Sequence, residues 1–232
     1  MPSDRTRALI LDAAERLYAE RGFADVTLRD IVALAGVNLA AVNYHFGSKD
    51  ELIAELFVTR GLATNRERLT ELRAAEAAGG GRADINAVLR ALVGPTLRGC
   101  LGPDNERSTA ARFMIRASIE SVSPIRRIKN REIDHLRKFA AAMRRSLPGC
   151  DEADLYWGLH FALAMAHQTI RDTERLAKLS EGKCDLDDVE AVIDRIVEAS
   201  AMALTGRAGP AAAKNPDATA VAPLRRAEKL RG

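Results

Sequence analysis

The side chains with the most pointed chemistry in this 232-residue chain lie close together, from Leu39 to Glu51. On a helix over 39–45, Leu39, Ala40, Asn43 and Tyr44 share one face, while Val42 and Phe46 fall on the other and read as core. The first face is uncharged, which suits entry into a DNA groove better than contact with water alone. Alanine and leucine let a backbone approach closely or touch a thymine methyl. Asn43 suits an adenine edge in bidentate fashion, a contact that carries ~1–3 kcal/mol of base discrimination. Tyr44 and Lys49 suit phosphate oxygens, as do the free N–H groups of 49–51 at a helix start.

Other reactive types are scattered. His160 and His167 are two turns apart, roughly 10 Å along a helix, too far to share a metal, and they read as core or interface. His135 lies among Arg and Lys and reads as solvated. Asp185, Asp187, Asp188 and Glu190 lack the glycine and terminal glutamate of a calcium loop and read as helix-start carboxylates. Cys150 and Cys184 have no histidine beside them in sequence. No acid–base or nucleophile set converges, so an enzyme is not expected, nor is a metal or other cofactor. Arg112 and Arg116 flank Phe113, Met114 and Ala117. They line either the rim of a ligand pocket, where a carboxylate or coenzyme A phosphate would pair with them, or a solvated face. Phe161, Ala162, Met165, Ala166 and Thr169 form a stripe that reads as dimer seam or core.

The elements that hold these groups are helical throughout. Aromatics are only 4% of the chain, and a core of Ala, Leu, Val and Ile favours helix over strand. Leu9, Ala13, Leu17 and Tyr18 mark a first helix over 5–21, closed by Gly22. Thr27 to Asp30 has the form of a capping box for a short helix that Gly36 stops. Asn38 caps the next, and Ser48 caps a long connector running toward 77, where Gly79, Gly80 and Gly81 break it. Asp84 caps a helix that Pro95 should kink or end, and another ends near Ser121. Ser123 and Pro124 open a helix to about Leu147, Asp151 caps a long one, and Asp185 caps the last, over 186–204 and closed by Gly206. Beyond Arg207 there is no periodicity, so a disordered tail is expected. About ten helices result.

No run approaches the ~18 apolar residues that cross a bilayer, the N-terminus resembles no signal sequence, and Cys100, Cys150 and Cys184 form no disulfide framework. These features exclude secretion, membrane spanning and a disulfide scaffold and point to a reduced, cytoplasmic protein. Charge is uneven: residues 1–60 carry a net −2, 111–145 a net +7 and 207–232 a net +4. Bulk charge therefore argues against the motif as to where DNA lies, and the motif is the more specific signal.

The run from Thr27-Leu28-Arg29-Asp30-Ile31 through Ala35-Gly36-Val37-Asn38 and Val42-Asn43-Tyr44-His45-Phe46-Gly47-Ser48-Lys49-Asp50-Glu51-Leu52 resembles the DNA-binding domain of the TetR family of bacterial repressors, ungapped over 5–60. The resemblance implies an all-α homodimer that binds double-stranded DNA. Residues 4–64 would form the DNA-binding domain (helix-turn-helix 27–46), 65–206 a helical ligand-binding and dimerisation domain, and 207–232 the tail. Carried over by position, Thr27, Arg29, Asn38, Leu39, Ala40, Ala41, Asn43, Tyr44, His45 and Lys49 become DNA contacts. His45 is either a phosphate contact or a partner for the helix dipole. Many members have Tyr where Asn43 stands, so a base contact replaces a phosphate contact there. The stretch Asp154 to Phe161 is similar to PsrA-type fatty-acid-responsive regulators. That likeness implies a small hydrophobic effector, an acyl chain or acyl-CoA, with Phe113, Arg116, Ala117, Trp157 and Phe161 as ligand-binding residues. A regulator of drug efflux, or a helical ligand module without DNA specificity, is the alternative.

Overall fold

The computed structural model describes residues 2–102, 109–120 and 122–206. Among them are eleven α-helices and no strand. They are α1 (Pro2–Arg21), α2 (Leu28–Ala35), α3 (Leu39–Phe46), α4 (Lys49–Ala78), α5 (Ile85–Leu101), α6 (Thr109–Ile119), α7 (Ser123–Arg131), α8 (Asp134–Ser146), α9 (Glu152–Arg171), α10 (Thr173–Leu179) and α11 (Val189–Thr205). No helix among the described residues is long and apolar enough to cross a membrane. The expected tail lies outside the described residues, as does Ser121.

Local chemistry sets most boundaries. At α2 the Thr27 hydroxyl accepts from Asp30 N (3.2 Å) while the Asp30 carboxylate accepts from Thr27 N (2.8 Å), a closed capping box. Gly36 takes the left-handed conformation (φ 66°) that ends α2. Asn38 Oδ1 accepts from Ala41 N (2.9 Å) and Ser48 Oγ from Glu51 N (3.2 Å), starting α3 and α4.

Four expectations change. Leu9 is exposed, and Ile10 takes its place on the buried face of α1. α5 runs on through Pro95, because Val93 and Leu97 on either side are fully buried and hold the helix across the missing hydrogen bond. The helix expected over 123–147 is two: the chain turns at Glu132 and Ile133, and Val122 is the N-cap position of α7, so that Ser123 and Pro124 are already helical. The cap of the last helix is Asp188, which accepts from Ala191 N (3.1 Å), whereas Asp185 accepts from Asp187 N in the preceding turn.

Two hydrophobic cores result. The first holds Ile10, Ala13, Ala14, Leu17, Tyr18, Phe23, Ile31, Val42, Phe46, Leu52 and Leu56 from α1 to α4, and is completed by Phe113 and Ala117 of α6 and by Ile125 and Ile128 of α7. The second packs α5 between the C-terminal half of α4 and helices α8, α9 and α11. α4, 30 residues long, runs between them.

Candidate nucleic-acid interface

α2, the Gly36-Val37 turn and α3 form the expected helix-turn-helix, anchored from below. Val42 is fully buried and Phe46 nearly so, with the Arg7 guanidinium 5.5 Å over the Phe46 ring. Leu39, Ala40, Asn43 and Tyr44 all face outward, and Tyr44 is 82% exposed. The expected groove-facing surface is therefore one continuous, uncharged patch on a rigid support. Arg29 of α2 is exposed beside it, while Ala41 and His45 are half-buried at its edge, with the His45 ring edge-on to Tyr44 at 5.1 Å.

Several expected DNA contacts already have work inside the protein. The Thr27 hydroxyl donates to Asp30 Oδ2 (2.6 Å), and Asn38 is occupied as a cap. Those bonds to Thr27 hold the exposed Asp30 carboxyl below its usual value. Lys49 departs furthest from expectation. Its ammonium turns away from solvent and donates to the carbonyls of Phe23 (2.7 Å) and Val26, above the Tyr18 ring. It closes the α1–α2 turn over the start of α4, and it is not oriented as a phosphate contact.

The reader is braced to the rest of the molecule at three places. Glu15 of α1, 4% exposed, receives both forks of Arg60 from α4, with Nε at 2.5 Å from Oε1. Glu120, just past α6, accepts from Phe23 N (2.8 Å) and pairs with Arg116 (3.3 Å). Arg127 of α7 lies 3.5 Å from Asp50 at the head of α4. Glu120 and Glu15 carried no signal in the sequence, because their partners are 97 and 45 residues away.

The expected ligand residues do not come together. Phe113 and Ala117 are fully buried in the first core, with the Phe113 ring edge-on to Phe23 at 5.6 Å, and Arg116 is engaged by Glu120. Trp157 and Phe161 stack on each other (5.4 Å) on the outer face of α9 and are both exposed. The five form no single lining in this structure: three members brace the reader and two lie on an external apolar face. His135 is also corrected, since it is half-buried and held below its usual value by burial and Arg68.

Residues 10–56 match the model for the bacterial regulatory proteins of the tetR family, and residues 90–203 match that for the tetracyclin repressor-like C-terminal domain. The chain belongs to the TetR family. Over 54 residues it is 48% identical to the transcriptional regulator TtgR of Pseudomonas putida, covering 23% of this chain and 26% of that one. It is 43% identical over 68 residues to the repressor Rv3405c of Mycobacterium tuberculosis (28% and 36%), and 39% identical over 84 residues to the regulator BetI of Brucella canis (36% and 34%). The matched segments thus span about a quarter to a third of these relatives' lengths. The fold is similar to that of a transcriptional regulator from Pseudomonas aeruginosa PAO1 (TM-score 0.63, 19% identity, 90% of this chain and 94% of that one). It is also similar to that of a TetR family regulator from Marinobacter aquaeolei VT8 (0.59, 15%, 84% and 95%).

Proposed function

We propose that this TetR-family chain is a homodimeric, ligand-responsive transcriptional repressor that reads a pseudo-palindromic operator through α3. The carrying observation is the uncharged, outward face of Leu39, Ala40, Asn43 and Tyr44 on a helix whose other side is fully packed. Asn43 reads a base edge and Tyr44 a phosphate, while Arg29, on the helix before, adds a second backbone contact. Two readers in successive major grooves set half-sites ~34–36 Å apart.

Dimerisation is supported by the outer faces of α9 and α11. Tyr156, Trp157 and Phe161 on the first and Met202 on the second are exposed, and large apolar side chains on a bundle's outer faces are suited to burial against a partner. The effector is a small hydrophobic molecule, in keeping with the likeness of residues 154–161 to fatty-acid-responsive regulators. It acts by shifting α4 between the two cores. A coupling of ~1–3 kcal/mol changes operator occupancy 5–150-fold.

Selection of duplexes from a random library by the purified protein, followed by sequencing, tests this reading. The expected result is a two-fold symmetric consensus. An enriched site without symmetry, or no enrichment at low salt, overturns it in favour of a helical ligand module.

A further inference from the structure

The most anomalous charge in the molecule lies away from α3. Arg68, in the middle of α4, is 8% exposed, yet no carboxylate among the described residues is bonded to it. Its guanidinium donates from Nη2 to Thr96 Oγ1 on α5 (2.6 Å) and from Nη1 to Asn65 Oδ1 (3.3 Å), both neutral acceptors. Its Nε–H is buried with no acceptor among the described residues. Burial pulls the group down to about 10, which leaves it charged at neutral pH.

The surroundings add to this positive field. Burial, Lys129 of α7, Arg68 and Arg171 of α9 press His167 down to about 4, so its imidazole is neutral. Burial and Arg68 lower His135 as well, against opposing pulls from Glu132 and Asp134. The Cys100 thiol of α5 is buried and pushed up to about 11, so it supplies no counter-charge. Leu72, one turn beyond Arg68 on α4, lines a groove of about 510 Å³ between α4 and α8 with Leu69 and Ala141; Arg73 and Lys138 line it as well, and Glu76 pairs with Arg145 there.

A buried cation with no counter-ion among the described residues is costly, and an arginine cannot relieve the cost by releasing its proton. Its planar fork with an idle Nε–H is one half of a bidentate pair with a carboxylate. We propose that Arg68 is the head-group anchor of the effector site, and that the effector is a hydrophobic monocarboxylate. One buried guanidinium balances one negative charge, the neutral His167 imidazole leaves that balance unchanged, and Leu69, Leu72 and Ala141 of the neighbouring groove offer apolar surface, the first two within a turn of Arg68 along α4. The inference rests on the ligand-responsive reading above and adds the chemical class and the residue that selects it.

Calorimetric titration and thermal melting of the full chain test it, with dodecanoate as probe, dodecanol as its uncharged counterpart and acetate as its tail-free one. Dodecanoate is expected to bind and raise the melting temperature, and the other two to bind at least tenfold more weakly. Arg68→Met should reduce dodecanoate affinity on the order of 10- to 100-fold and remove the preference over dodecanol, while Arg68→Lys keeps part of it. Ligand-free Arg68→Met should melt at or above the wild-type temperature, because an unanswered buried charge has gone. Four results overturn the proposal: no dodecanoate binding, equal binding of dodecanoate and dodecanol, undiminished binding by Arg68→Met, or a ligand-free variant melting well below wild type, which would make Arg68 a structural strut. Loss of operator selection with carboxylate binding intact defeats only the repressor reading, and the converse defeats only the anchor.

Discussion

Asn43 and Tyr44 are neighbours on one surface with different tasks, and single substitutions separate them. Asn43→Ala should relax base preference at one operator position by ~1–3 kcal/mol, whereas Tyr44→Ala should weaken all sites alike; equal losses across an operator-variant panel would refute that division. Lys49 carries a sharper contrast. If its ammonium closes the Phe23 and Val26 carbonyls, Lys49→Met should lose roughly 1.5–3 kcal/mol of stability in urea and leave the salt dependence of DNA binding unchanged. A phosphate contact would instead lower the salt slope by about one. The sequence showed that a lysine stands at a helix start next to the reader, and it could not show which way the side chain turns. That depends on two carbonyls more than 20 residues upstream. Arg68 was silent for the same reason: in sequence it is one arginine on a charged connector, and its burial comes from α5.

Elements bounded by local chemistry were legible, and those bounded by distant packing were not. Thr27 with Asp30, Asn38 and Ser48 mark their helices because each cap is closed within three residues. The turn between α7 and α8 has neither glycine nor proline at Glu132 and Ile133 to announce it. Neither did anything mark α6 as the helix that docks on the reader. The tightness of that docking shows at Gly22, where φ is +84° and a Cβ would come within 2.5 Å of Glu120 Oε1. Gly22→Ala should therefore lose stability and weaken operator binding, through strain at the turn and displacement of the carboxylate that holds Phe23 N. At His167 of α9, whose field comes from Lys129 of α7 and Arg68 of α4, pH should act. His167 titrates near 4 when folded and near 6.5 when unfolded, so the unfolded chain binds its proton first as pH falls. The stability this contributes is complete above pH 6.5 and is lost on acidification toward 4. Melting temperatures of wild type and His167→Gln across that range check it, the variant giving the flatter curve.

For the molecule as a whole, the all-helical class followed from periodicity and caps and the N-terminal reader from the outward side chains of 39–44 with the family resemblance, while the division of labour among the later helices did not. The low charge of the reader, with Lys49 turned inward, leaves few cations for phosphates, so operator binding should show a shallow salt slope for a dimer of this size; titrations between 50 and 200 mM salt measure it. A break in chain order has a practical side. Phe113, Ala117, Ile125 and Ile128 complete the core beneath α1 to α4, although they lie 50 or more residues beyond the helix-turn-helix. The reader is consequently not an exchangeable cassette. A hybrid biosensor spliced inside α4 would set the Phe23 ring and the Gly22 turn against a foreign α6, and would inherit the operator motif without the surface that steadies it. Transplants that carry α6 and α7 along with the first four helices are the ones that should work.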